Sequence, residues 1–195
     1  MNELFHLKEP LFLEDEVVLL ETEQEHYLWT IELILKDLVN HRKMPVIYVT
    51  INRPYESLRT LFLKKKIDLR LMMFIEAIPG KKTKRLNPST SNCLSLDGPY
   101  NLTDISLAIS EALSAISQEN KVVVIDSLDA FLHYGSTSTV LRFMHFILSK
   151  IREFGAKGVI LTMKSNQHEG VISDLSGLCQ YISAETLEHG QKWLS

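Results

Sequence analysis

Four short stretches of this sequence carry side chains able to do chemistry, and each follows an apolar run. Glu21 to Leu28 follows Val17 to Leu20, and Asn52 and Arg53 follow Val46 to Ile51. Asp126 to Asp129 follows Val122 to Ile125, and Met163 to Gln167 closes a run that begins at Gly158. Glu21, Glu23 and Asp126 supply carboxylates and Lys164 a cation. Brought together, three carboxylates would make the oxygen-rich pocket that Mg²⁺ takes. No metal site is expected from spacing alone, and Asp126 is the one candidate ligand. The chain has seven histidines. It has no Gly-x-Ser-x-Gly elbow and no His-Glu-x-x-His helix, and His133 and His145 lack a catalytic partner, so a hydrolase is not favoured.

The elements that must position these residues can be read from periodicity. Val17–Leu20, Val46–Ile51, Leu71–Ile78, Val122–Ile125, Gly158–Met163 and Gln180–Ala184 read as strands. Glu25–His41 has apolar residues at Leu28, Ile31, Ile34, Leu35 and Leu38, the spacing of a helix with one buried face. Arg53–Lys66 reads as a helix with Pro54 at its start. Asn101–Ser117 reads as one capped by Asn101 or Thr103. Thr139–Phe154 is amphipathic and ends at Gly155, and Gly170–Leu178 is short and helical. Pro79–Asn101 breaks the pattern with Gly, Pro, Ser and Asn and the basic cluster Lys81, Lys82, Lys84 and Arg85. It is expected to be a mobile or inserted loop. Strands alternating with helices predict an α/β fold: a three-layer αβα domain around a mostly parallel, doubly wound sheet spanning 1–195. Ligands in such sheets sit beyond the carboxyl ends of the strands.

Bulk properties narrow the classes. The 195 residues suit one domain with a sizeable core. The net charge of -3 gives no global pull toward nucleic acid or an anionic membrane. Two isolated cysteines, Cys93 and Cys179, form no disulfide framework and point to a reducing compartment. Met1–Asp15 carries four acidic residues and no long apolar core, so it does not read as a secretory leader. No apolar run reaches the ~20 residues of a membrane span. The expectation is a cytoplasmic protein without membrane or nucleic-acid partners.

Three segments in order resemble the KaiC/RadA branch of the RecA superfamily. VVVIDSLDAFL (Val122–Leu132) looks like that family's Walker B strand. VIYVTINRPYESL (Val46–Leu58) looks like its second core strand and the following turn. GAKGVILTMKSN (Gly155–Asn166) is similar to the strand that precedes a polar sensor residue. The resemblance implies a RecA/KaiC-type sheet, a nucleotide-site position at Ser127 and, at Asp126, one that helps hold Mg²⁺ through water.

The departures from that family carry as much information. The Walker A slot reads Glu21, Thr22, Glu23, Gln24, Glu25, His26, Tyr27, Leu28, and no glycine occurs before Gly80. A phosphate cradle needs glycine dihedrals and a lysine charge. Here Glu21 and His26 replace the glycines, Tyr27 the lysine and Leu28 the hydroxyl residue. The glutamates are expected instead to cap the helix that follows. Asn52 and Arg53 stand where the family places its paired glutamates, and neither can act as a carboxylate base. Asp126 is then expected to bond nearby backbone N–H groups or Ser127.

The resemblance with these losses implies a degenerate member. It would be a non-catalytic pseudo-ATPase acting in regulation, signalling or assembly through another RecA-like subunit or itself. No cofactor is expected; ATP with Mg²⁺ is what a residual site would take. The helix around Phe143, Met144 and Phe146 and the 79–101 loop are the candidate contact surfaces. Two alternatives stand beside this reading. One is a residual nucleotide-binding ATPase or a DNA-binding RecA paralogue, the latter using Lys64–Lys66 and Lys81–Arg85. The other is a receiver-like Mg²⁺-binding phosphoswitch built on Glu21, Glu23, Asp126 and Lys164.

Overall fold

In the computed structural model, which describes residues 17–80, 92–165 and 168–184, the apolar runs form seven strands of one sheet. They are β1 (Val17–Thr22), β2 (Val46–Thr50), β3 (Met72–Glu76), β4 (Cys93–Ser95), β5 (Val122–Asp126), β6 (Lys157–Met163) and β7 (Gln180–Ser183). Their order is β4-β3-β2-β5-β6-β1-β7, and every pairing is parallel. The central strands are buried on both faces, which is why VIYVT and VVVID read as unbroken apolar runs without alternation.

Among the described residues six α-helices cover the two faces: α1 (Tyr27–Leu35), α2 (Tyr55–Lys64), α3 (Leu102–Ala115), α4 (Leu128–Tyr134), α5 (Thr137–Glu153) and α6 (Glu169–Ser176). One core layer joins α1 and α2 to Val18, Leu20, Tyr48, Phe74 and Val124. The other joins α3 to α6 to Val17, Ile47, Ile75, Val123 and Ile160. The result is the three-layer α/β architecture that the alternation predicts.

Local sequence explains most boundaries. Asn101 is the cap of α3, its side chain accepting from the Asp104 N–H. Lys121 closes the other end by donating to the Leu113 and Ile116 carbonyls at 2.8 and 2.7 Å. Along α5, Val140, Phe143, Met144, Ile147, Leu148 and Ile151 form one buried stripe, and Gly155 takes the positive φ of 57° that ends it. Gly158 lets α5 approach the sheet: a Cβ there would lie 2.9 Å from Ile151 Cδ1 and 3.0 Å from Val17 Cγ1.

Several boundaries differ from those expected. α1 passes into a wider turn over Lys36–His41, where buried Asp37 accepts from Arg42 Nε at 2.6 Å. The 79–101 stretch is not all loop, because Cys93–Ser95 pairs with Phe74–Glu76 as the edge strand β4. Residues 81–91, with the basic cluster, lie outside the described residues. Helix α4, within Asp126–Tyr134, is an element the periodicity did not reveal. Among the described residues no helix is long and apolar enough to cross a membrane.

Candidate functional site

The chain leaves β2 for α2 on one face and leaves β5 for α4 on the other. Between these adjacent strands the connections diverge, which is where open α/β sheets hold their sites. Asp126 ends β5 there, 3% exposed, and its peptide bond to Ser127 is cis. One carboxylate oxygen accepts from the Tyr27 hydroxyl and the other from the Tyr48 hydroxyl, the latter at 2.5 Å.

Each tyrosine is delivered by a different element. Tyr27 opens α1 on the face turned to the sheet. Tyr48 lies in β2 beside Val124, one pleat below the Thr50–Asp126 rung, so its ring points to the same face as the carboxylate. Phe62 and Phe74 wedge that ring, with centroids 5.5 and 5.7 Å away. The Arg53 guanidinium lies 5.4 Å from the centre of the Tyr27 ring.

The electrostatics follow from this burial. Loss of water pushes the Asp126 carboxyl above its usual 3.8, while both tyrosine bonds and the Arg53 charge oppose the rise. The phenols of Tyr27 and Tyr48 are raised well above 10.0, first by burial and then by the Asp126 charge. Ser127 beside the Tyr27 phenol pulls the other way. The group is therefore a carboxylate held by two phenol donors with a guanidinium beside them.

Two further carboxylates hold the strand ends around it. Glu76, 1% exposed at the end of β3, accepts from the Tyr55 N–H at 2.7 Å and from Ser95 Oγ at 2.8 Å. It thereby caps α2, whose own N-cap residue, Pro54, supplies no side-chain bond. Asp129, in the first turn of α4, accepts from the Met163 N–H at 2.8 Å and from Thr162 Oγ1 at 3.2 Å. This ties the first turn of α4 to the end of β6. Asp129→Ala is expected to cost about 1–3 kcal/mol, read as a lower urea midpoint. Asp129→Asn keeps an acceptor for the Met163 N–H and should lose less.

The structure brings together Tyr27, Arg53, Asp126 and Ser127 from the sequence candidates. It leaves the others apart. Glu21 accepts from the Tyr181 hydroxyl at 2.6 Å, and Glu23 pairs with Lys164 at 2.9 Å. His26 lines a small recess with Glu21, Glu23 and Lys164. Leu28 is 46% exposed and Asn52 is exposed.

Two expectations are corrected by this geometry. The glutamates of the Glu21–Leu28 slot do not cap α1. His26 is the N-cap and makes no side-chain capping bond, no acidic residue lies in the first turn, and the entry is built by a turn in which the His26 N–H meets the Glu23 carbonyl at 3.0 Å. The slot spends its acids on β7 and on Lys164, because the helix begins only at Tyr27. Asp126, for its part, is held by two tyrosines and not by backbone N–H groups or Ser127.

The acidic set of a receiver is not assembled. Among the described residues no three His, Cys, Asp or Glu side chains converge as a metal set. Sequence reasoning missed Tyr48 and Glu76, and it named Asp129 within Asp126 to Asp129 without giving it a role. The available signal was a lone tyrosine and a lone glutamate in otherwise aliphatic strands.

The family model described as "Family of unknown function (DUF7504)" matches residues 76–182, more than half of the chain. The chain belongs to this family. The DUF7504 match takes in Glu76, Asp126 and Asp129 but neither Tyr27 nor Tyr48. No curated protein matches the chain. Among solved structures, it is similar to the KaiC-like protein PH0186 from the hyperthermophilic archaeon Pyrococcus horikoshii OT3. The TM-score is 0.54 at 15% identity, over 76% of this chain and 61% of that one. This DUF7504 chain thus has a RecA/KaiC-like fold, and the aligned part spans about three-fifths of its structural relative.

Proposed function

We propose that the protein is a KaiC-like domain that has left ATP hydrolysis and works through protein contacts. The observation that carries this reading is the bond from the Tyr27 hydroxyl to Asp126. The resemblance would put a phosphate-binding lysine at position 27 and a Mg²⁺-supporting carboxylate at 126. Here the phenol takes the carboxylate for itself, and Tyr48 takes its other oxygen. A metal-bound water would have to displace a charge-assisted bond to reach Asp126. Arg53, on the turn where the resemblance expects carboxylates, adds a charge that cannot accept a proton from water. With both catalytic parts replaced and the scaffold kept, a contact role is what the fold still offers. A second KaiC-like subunit, or a second copy of this chain, is the partner it suits.

Calorimetry and thermal shift with ATP or ADP and Mg²⁺ test the reading. No heat of binding, no stabilisation and no phosphate release are expected. Micromolar binding, or turnover that Asp126→Ala abolishes, would overturn it.

A further inference from the structure

Two exposed leucines sit on opposite layers of the sandwich in matching electrostatic frames of opposite sign. On α2, Leu63 is 49% exposed. Arg59 lies one turn before it, and Lys64 and Lys66 lie at the helix end, all exposed. On α3, Leu107 is 57% exposed, with exposed Asp104 one turn before and exposed Glu111 one turn after. Side chains three and four residues apart share a helix face. The intervals agree when the helices run antiparallel. Seating Leu63 on Leu107 places Arg59 against Glu111, four residues away on each helix. It also brings the basic end of α2 to Asp104, three residues away on α3.

The other exposed apolar features among the described residues lack such a match: Tyr100 packs edge-on against Tyr134, and Tyr181 bonds Glu21. Phe143 and Met144 are buried, and Phe146 lies beneath Lys150, whose Nζ is 5.7 Å from the ring. The groove between α1 and α2, lined by Leu28, Trp29, Leu61 and Phe62, has Glu32 on its rim already paired with both Lys36 and Lys65.

We propose that the Leu63 face of α2 docks on the Leu107 face of α3 of a second copy of this chain. The inference rests on the contact role proposed above and names the surface that performs it. α2 and α3 cover opposite faces of the sheet, so a chain cannot close the contact on itself. The contact is heterologous, and each bound pair leaves one free face of each kind. Its area is that of a single helix pair, below the usual stable interface. Association is therefore weak, in the range of about 10 μM to 1 mM.

Sedimentation equilibrium of the whole chain tests this. The average mass is expected to rise with concentration at low salt and to rise less at high salt. Leu63→Glu and Leu107→Glu should each give a monomer with unchanged thermal stability, since both sites are exposed. An equimolar mixture of the two should form a one-to-one dimer and nothing larger, because one intact face of each kind remains. Glu111→Arg should weaken association by up to about fivefold, and adding Arg59→Glu in the same chain should restore it. A wild-type chain that stays monomeric near 1 mM, or two variants that fail to combine, overturns the pairing. Phosphate release measured on the same samples separates the two ideas: a silent monomer ends only the pairing, and a hydrolysing chain ends the contact reading.

Discussion

The double variant Tyr27→Phe/Tyr48→Phe is expected to lose about 3–6 kcal/mol at neutral pH, two hydrogen bonds to a charged group at ~1.5–3 kcal/mol each. Both phenols donate to Asp126, and the three residues are 6%, 0% and 3% exposed, so no water replaces the lost donors. Each phenylalanine keeps the ring, including the packing of position 48 on Phe62 and Phe74. The loss therefore reports on the carboxylate and not on a cavity. Adding Asp126→Asn should return about 1–3 kcal/mol, because an underbonded amide costs less to bury than an underbonded charge. Urea midpoints of the double and triple variants check this. A triple variant no better than the double would mean that the phenols act through their rings.

The same carboxylate sets a pH dependence with a defined sign. Its folded value lies above the unfolded 3.8, so the native state binds the proton more tightly. The Asp126 contribution to stability is full below 3.8 and is lost as pH rises through the raised folded value. Asp126→Asn removes that falling limb. The wild-type stability minus that of the variant should decline with rising pH over this window and then level.

The second large effect is at Glu76. Glu76→Ala removes the only side-chain acceptor described for the first N–H of α2 and the partner of Ser95 Oγ in β4. The expected cost is about 2–4 kcal/mol. Amide exchange should rise first in the opening turn of α2 and across β4, before the central strands. Glu76→Gln keeps an acceptor and should recover most of the loss. Uniform exchange across the sheet would show that Glu76 serves global packing instead of these two attachments.

The strands were legible because an all-parallel sheet buries both faces, which turns each strand into an aliphatic run bounded by polar residues. Two elements were not. β4 is three residues long in a Ser- and Asn-rich stretch, and it exists through its pairing with Phe74–Glu76. α4 starts straight after the Asp126–Ser127 bond, and its seven residues are too few to show a period. The site was half legible. Position in the Walker-like segments found Tyr27, Arg53 and Asp126, but that the two tyrosines meet the carboxylate is a tertiary fact. Tyr27 and Tyr48 reach Asp126 from 99 and 78 residues away. The misread glutamates show the converse. A helix-start composition predicts caps only when the helix starts where the apolar pattern does, and here it begins at Tyr27.

The place of β1 has a consequence for how the chain is made. It is the first strand of the sheet to leave the ribosome, yet its neighbours are β6 and β7, the last two. Val17 to Thr22 must therefore wait until nearly all of the sheet has been synthesised, while β2 and β3 can already join. An aliphatic segment held unpaired through translation is a natural client for a chaperone. Slowing elongation before Lys157 should lengthen that wait and lower the soluble yield, and an unchanged yield would show that the unpaired segment is not at risk.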